Sequence, residues 1–165
     1  MFTVISDLES TDKSLFYKNL ANSFDILLGD ERDSIANMAN MASLLYFSLP
    51  NINWSGFYLY NGQELILGPF HGKPACVRIH MGKGVCGTSA STRTTLTVGD
   101  VHEFPGHIAC DPDSRSEIVI PLIQDGNIIG VLDIDSPMLE RFDEIDRAGL
   151  EQLTKILLLK TTFNQ

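Results

Sequence analysis

Three cysteines are the residues of this sequence best able to do redox chemistry, and one of them has unusual neighbours. Cys110 lies in HIACDPDSRSEIVIPLI (107–123), close to Asp111, Asp113 and Glu117. Nearby carboxylates disfavour a thiolate, because a like charge raises the pKa of a thiol. A cysteine that only fills space is found more often in an apolar run. The segment is therefore either a surface accident or a site where sulfur and carboxyl groups act together.

The other two cysteines occupy different predicted contexts. ACVRIH (75–80) is predicted to be a strand, with Cys76 on its polar face and Ile79 on its core face. Under this alternation the polar face carries Cys76, Arg78 and His80, and the core face carries Ala75, Val77 and Ile79. Cys86 lies in the glycine-rich MGKGVCGTSA (81–90). It either packs as a small side chain at a helix start or takes part in redox chemistry.

Two acids in VLDID interrupt an apolar strand pattern. Asp133 and Asp135 would share one strand face at about 7 Å spacing, after Ile129 and Val131 on that face. Unpaired carboxylates are costly to bury, so the pair should line a wet pocket or meet a cation. The alternative is the solvated end of a strand, since Ser136 and a proline follow.

The register of one hairpin decides whether Glu117 joins these acids. A three-residue turn places Glu117 opposite Asp135 and collects three carboxyl groups on one face, whereas a two-residue turn at 125–126 places it opposite Ile134. The sequence leaves both registers open. Trp54 and Tyr58 alternate on a neighbouring strand, where they suit either a core or the wall of an amphipathic pocket.

Composition and missing motifs exclude several classes of function. The chain has 165 residues, which predicts a single domain over 1–165, and its net charge of −9 argues against binding nucleic acid or anionic membranes. No targeting or spanning segment is recognisable, so we expect a cytoplasmic protein with reduced thiols. The absence of CxxC pairs and of the usual ligand spacings argues against a zinc site.

Hydrophobic periodicity supplies the elements that must position these residues. Helices are predicted at 11–29, 31–48 and 142–160, the second with an apolar stripe of Ile35, Met38, Met41, Ala42 and Leu45. Two strand pairs surround Asn61-Gly62 and Asp125-Gly126, and short strands are predicted at 75–80 and 94–100. The pattern favours an α/β fold of the layered α+β kind. We expect a mostly antiparallel central sheet, with the two N-terminal helices and the C-terminal helix on one face.

Four stretches together resemble the free methionine-(R)-sulfoxide reductases, which have the GAF fold. The stretches are NWSGFYLY, GPFHGKPACVRIHMGKGVCGTSA, VHEFPGHIACDPDSRSEIVIPL and GVLDIDSP. The likeness runs over essentially the whole chain, is densest from 51 to 137 and includes all three cysteines with their surroundings. Pro112 is a small local departure that leaves the catalytic assignment intact.

The resemblance implies a role for each of these residues. Cys110 is implied to be the nucleophile that becomes a sulfenic acid, Cys76 the resolving cysteine, and Cys86 an accessory thiol. The resemblance also implies substrate-binding residues: Trp54, Tyr58, Glu117, Asp133 and Asp135. The disulfide would be reduced by thioredoxin or a similar dithiol, without a metal or organic cofactor. The substrate would be free methionine sulfoxide, and the oligomeric state is left open, a homodimer included.

Two other functions are compatible with the sequence. GAF folds commonly serve as non-catalytic sensors of small ligands, although no output domain accompanies the fold in this sequence. A peroxide-reducing thiol sensor would use Cys110 without needing Glu117, Asp133 or Asp135.

Overall fold

The computed structural model describes residues 12–106 and 111–163. These residues contain four α-helices and six β-strands. The helices are α1 (Lys13–Leu28), α2 (Ser34–Ser48), α3 (Gly84–Thr92) and α4 (Glu144–Lys160). The strands are β1 (Trp54–Tyr60), β2 (Glu64–Gly72), β3 (Arg78–His80), β4 (Leu96–Val98), β5 (Ser116–Gln124) and β6 (Asn127–Ser136). A short 3₁₀ turn covers Val101–Glu103.

Aspartates begin three of the four helices, and they explain where those helices start. The side chain of Asp12 accepts the backbone N–H of Ser14 before α1, and Asp33 accepts that of Ala36 before α2. Asp143 begins α4 with a reciprocal capping box formed with Asp146. Such caps satisfy backbone N–H groups that have no partner inside the helix. The helices therefore begin at residues 13, 34 and 144, two or three residues inside the predicted bounds.

All six strands form one antiparallel sheet in the order β3-β2-β1-β6-β5-β4. The β1–β2 and β5–β6 pairs are the two predicted hairpins, and β6 lies between β1 and β5 at the centre. Alternation within the central strands gives the sheet one apolar face and one partly polar face. Phe57, Ile120 and Leu132 point to the first face, and Tyr58, Val119 and Val131 point to the second.

The helices lie on both faces of the sheet, in unequal numbers. α1, α2 and α4 cover the first face, where their buried side chains pack with Phe57 and Leu132. This arrangement confirms the predicted layering of the N-terminal and C-terminal helices. The short α3 packs on the second face, where Val85 and Ala90 join a smaller apolar cluster. Within the described ranges no helix is long and apolar enough to cross a bilayer.

Three details of the predicted elements are wrong. Ile35 is 65% exposed and lies outside the apolar stripe of α2. β3 begins only at Arg78, so Cys76 precedes the strand and lies in the loop after β2. Val77 is 62% exposed although the predicted alternation placed it in the core. With only three residues at the sheet edge, β3 is too short for alternation to govern the residues before it.

Candidate active site

A bulge in the β5–β6 hairpin brings Glu117 beside the two acids of β6. At the turn, Gln124 pairs with Asn127 across a two-residue connection, but Leu122 pairs with Gly130 after a register shift. The shift carries Glu117 to a position opposite Asp135. One of the two open registers thus holds at the turn, and the other holds beyond the bulge. An extra residue in one strand shifts the pairing of all residues beyond the bulge by one position.

The same bulge separates Ile129 from the acids that the sequence pattern grouped with it. Ile129 packs in the apolar cluster under the helices, whereas Val131 belongs to the opposite cluster together with α3. The predicted common face of Ile129, Val131 and the two acids is therefore wrong at Ile129. Asp133 and Asp135 continue the Val131 face, which is the face left free by α1, α2 and α4.

This face opens into a pocket bounded by β1, β5, β6, α3 and the loop after β2. Trp54 and Asp135 are direct cross-strand neighbours, as are Asp135 and Glu117, so one row of residues crosses three strands. Two lysines and several small residues complete the lining of the pocket. Its lining residues are Trp54, Tyr58, Lys73, Pro74, Ala75, Ile79, Lys83, Gly84, Val85, Cys86, Asp111, Ser114, Glu117, Asp133 and Asp135.

Cys86, Glu117 and Asp133 form a buried cluster at the base of the pocket. The thiol of Cys86 donates a 3.8 Å hydrogen bond to Oε1 of Glu117. One atom of each of the three side chains lies within 4.8 Å of the others. Asp133 is buried and its Oδ1 has no hydrogen-bond partner among the described residues. The cluster thus presents an unused acceptor to the pocket, which suits a ligand that carries a donor. A cation could also meet these atoms, and the expectation of no metal stays a prediction.

Burial raises the pKa of all three acids on this face of the sheet, and neighbouring charges raise the pKa of two of them further. Burial raises the pKa of Glu117, and the charges of Asp133 and Asp135 raise it further. Burial raises the pKa of Asp133 from 3.8 to about 6, and the pKa of Asp135 is raised by burial and by Asp133. The pKa of Cys86 is raised in the same way, so its thiol stays protonated. Asp133 is therefore largely ionised at pH 7.5, whereas the shift of Glu117 favours its protonated form.

Replacing Asp133 by asparagine is expected to change stability in a pH-dependent way. Because the folded protein binds this proton more tightly than the unfolded chain, Asp133 disfavours folding increasingly as pH rises from about 4 to about 6. At about 1.4 kcal/mol per pKa unit, the variant should gain a few kcal/mol relative to the wild type between pH 4 and pH 7.5. Urea unfolding of both proteins at several pH values measures this difference. An equal difference at every pH would contradict the prediction.

A stacked aromatic wall faces the acids. The ring of Trp54 stacks on Phe70 at 5.3 Å and on Tyr58 at 5.9 Å. Its indole N–H donates to the carbonyl of Lys73 at 3.1 Å. Gly72 leaves room for this ring, since a Cβ there would lie 2.6 Å from Cδ1 of Trp54. The indole is thus fixed in place with one side toward the pocket, where it offers an apolar surface.

Tyr58 connects the aromatic wall to the segment that carries Cys76. Its hydroxyl donates to the carbonyl oxygen of Cys76 at 3.1 Å. Burial raises the pKa of Tyr58, and the charges of Asp133 and neighbouring acidic groups raise it further, so the hydroxyl remains a neutral donor. The sulfur of Cys76 is engaged in a disulfide bond, and Cys86 is a free, buried thiol. Cys110, the predicted nucleophile, lies outside the described residues.

Several pocket residues were not singled out from the sequence. Lys73 and Ser114 belong to loops that have no periodicity, and Asp111 was considered only as a neighbour of Cys110. Asn53 donates to Asp111 at 3.3 Å and to Ser114 at 3.0 Å, which fastens this loop to the start of β1. The only hint in the sequence that Lys73 belongs to the site is that this cation lies three residues before Cys76.

Comparison with known proteins agrees with this geometry. The GAF domain family model matches residues 29–157. The free methionine-R-sulfoxide reductase of Escherichia coli (strain K12) is 50% identical over 153 residues, which cover 92% of this chain and 93% of that protein.

Two solved structures of the same kind align over most of the chain. The fRMsr of Staphylococcus aureus, in complex with its substrate, is 53% identical with a TM-score of 0.84, covering 87% of this chain and 94% of that one. The free methionine-R-sulfoxide reductase of Neisseria meningitidis, also in complex with its substrate, is 43% identical with a TM-score of 0.88, covering 96% and 95%. Likeness of this extent shows that the chain belongs to the free methionine-R-sulfoxide reductases, an oxidoreductase family built on the GAF domain.

Proposed function

We propose that the protein reduces the R epimer of free methionine sulfoxide to methionine. The observation that carries this proposal is the pocket in which Glu117, Asp133 and Asp135 face the indole of Trp54. Such a pocket combines acids for a polar sulfoxide and an ammonium group with an apolar surface for a methyl group. Two relatives of similar fold were solved with their substrate, which supports the same use of the pocket.

The acid cluster supplies the proton that the reaction needs. A sulfoxide oxygen leaves sulfur readily only after it gains a proton, so a carboxyl group that stays protonated near neutrality can act as a general acid. We assign this role to Glu117, whose pKa is raised by burial and by two neighbouring acids. Asp133, with a pKa of about 6, remains largely ionised at pH 7.5 and can accept a hydrogen bond through Oδ1.

The cysteines supply the two electrons. In this proposal the thiol of Cys110 attacks the protonated sulfoxide sulfur, and the oxygen passes to the cysteine sulfur, which releases methionine and leaves a sulfenic acid. The thiol of Cys76 then attacks the sulfenic sulfur, so that a disulfide forms and water leaves. A dithiol such as thioredoxin reduces that disulfide by thiol exchange. The disulfide engagement of Cys76, beside a free Cys86, supports giving Cys76 the resolving role and Cys86 an accessory one.

Ionised acids also account for a preference for the free amino acid. The α-ammonium group of free methionine sulfoxide pairs with a carboxylate, and a methionine inside a peptide has no such group. A buried carboxylate left unpaired is costly, so a peptide substrate would forfeit this interaction. A reducing compartment such as the cytosol would supply the dithiol, and the enzyme would work without a metal or organic cofactor.

Turnover of separated epimers tests the proposal. The reduced protein should convert free methionine (R)-sulfoxide to methionine in the presence of a dithiol, with N-acetylated or peptide-bound methionine sulfoxide at least about a hundredfold slower, as expected when a buried charge loses its partner. The S epimer, which keeps the ammonium group, should also be converted more slowly, an expectation that follows from the relatives named for the R epimer. Chromatography of released methionine measures all of these rates. No turnover of the R epimer would contradict the proposal. Retention of a ligand by a variant in which all three cysteines are serine, without any turnover by the wild type, would favour the sensor.

A further inference from the structure

Lys73, the residue after β2, is a part of the pocket that the proposed chemistry leaves without a role. Its ammonium lies 3.3 Å from Oδ1 of Asp111 and also donates to Oδ2 of Asp113. Its carbonyl oxygen accepts the indole N–H of Trp54. One residue thus contacts the aromatic wall through its backbone and the acidic loop through its side chain.

Asp111 is the acceptor around which this part of the loop is organised. Its side chain is only 8% exposed. Its Oδ1 accepts the backbone N–H of Asp113 at 3.0 Å, and its Oδ2 accepts the amide of Asn53. The Asp113 N–H, and then the Lys73 ammonium, lower the pKa of Asp111 despite partial burial, so the carboxylate stays ionised. Both oxygens of Asp111 thus already accept a hydrogen bond from an N–H group, and Lys73 adds a charged donor to them.

These contacts connect a segment that carries Cys76 with a segment that follows Cys110 in the sequence. Lys73 stands three residues before Cys76, and Asp111 directly follows Cys110 in the sequence. The carbonyl of Cys76 is itself held by the hydroxyl of Tyr58. The ion pairs of Lys73 therefore fix the separation between two stretches of backbone, 73–76 and 111–114.

We propose that Lys73 is a positioning residue of the reductase. Its ion pairs with Asp111 and Asp113 hold segment 111–114, which follows Cys110 in the sequence, against segment 73–76, which ends at Cys76. They thereby keep the spacing that these two segments need for reaction. This inference rests on the proposed function. Lys73 neither donates the proton nor receives the oxygen, and it acts on the reaction through Asp111.

The exposure of Lys73 determines what its loss should change. Its side chain is 59% exposed, and exposed ion pairs contribute little to global stability. A small displacement of reacting groups, in contrast, lowers the rate strongly, because the bound geometry must be close to that of attack. Removal of the charge should therefore lower kcat and leave the melting temperature unchanged.

Lys73→Met tests the inference, because it keeps the aliphatic stem and removes the charge. We expect kcat for free methionine (R)-sulfoxide to fall about tenfold while KM changes less than about threefold, and Lys73→Arg to restore most of the rate. The first equivalent of methionine, which needs no resolving cysteine, should be released at the wild-type rate before any dithiol is added, whereas formation of the disulfide, measured as the loss of free thiols, should slow by a similar factor. Lys18→Met is the matched control, since it removes an exposed lysine from α1 on the opposite face of the sheet and should alter neither kcat nor KM.

Each other result overturns a specific part of the argument. A Lys73→Met protein with wild-type kcat overturns the inference. A loss confined to KM overturns it as well, because Lys73 would then bind substrate directly. A lower melting temperature with no rescue by arginine would make Lys73 a structural residue. An inactive wild-type protein overturns the proposed function instead, which separates that failure from the failure of the inference.

Discussion

Replacing Cys110 by serine is expected to abolish the release of methionine, including the first equivalent. The serine hydroxyl is a far weaker nucleophile than a thiol and cannot carry the oxygen as a sulfenic acid. The buried thiol of Cys86 is a poor substitute, because burial and the charges of Asp133 and Glu117 raise its pKa and keep it protonated. Chromatography of methionine after mixing enzyme with the R epimer, without reductant, measures the effect directly.

Cys76→Ser is the matched variant, because it removes a thiol from the second step only. It should release about one equivalent of methionine per enzyme and then turn over slowly with thioredoxin, since the sulfenic acid has lost its resolving partner. The first equivalent therefore separates the two serine variants more sharply than the steady-state rate does. A full first equivalent from Cys110→Ser would show that another sulfur receives the oxygen, and it would end the assignment of Cys110.

The parts of this site that lie on regular strands could be predicted from the sequence. Trp54 and Tyr58 differ by four positions and Asp133 and Asp135 by two, so strand alternation alone places each pair on one face. The three-helix layer was equally readable, because an apolar stripe on each helix must meet one sheet face. In each of these elements the hydrophobic period extends over many residues, so a single exception such as Ile35 does not change the predicted element.

Irregular features could not be predicted from the sequence, because their physical causes are not periodic. The bulge beyond the β5–β6 turn lies between the Ile123–Ile128 and Leu122–Gly130 pairs, and no residue type in this stretch predicts it. Gly130 itself shows the constraint, since a Cβ at this position would collide with the backbone of Tyr58. The loop position of Cys76 follows from the shortness of β3, and the role of Lys73 depends on contacts between residues 38 and 40 positions apart.

Replacing Glu117 by glutamine is expected to reduce kcat/KM by about two to four orders of magnitude, the usual contribution of a general acid. Glutamine keeps the shape and a hydrogen-bond donor, but it cannot transfer a proton to the departing oxygen. Because the wild-type reaction needs the protonated carboxyl, its rate should fall as pH rises through the raised pKa of Glu117. The variant should lose this alkaline decline, which steady-state kinetics across the pH range would record.

Asp135→Asn is the appropriate comparison, because Asp135 lies directly opposite Glu117 on the same strand face. If Asp135 serves as a carboxylate for the α-ammonium group, its loss should raise KM more than it lowers kcat, and the alkaline decline should persist. Glu117 and Asp135 are cross-strand neighbours with raised pKa values, so the comparison separates proton transfer from charge pairing within one environment. An alkaline decline that survives in Glu117→Gln and disappears in Asp135→Asn would exchange the two roles, since the proton would then come from β6 rather than from β5.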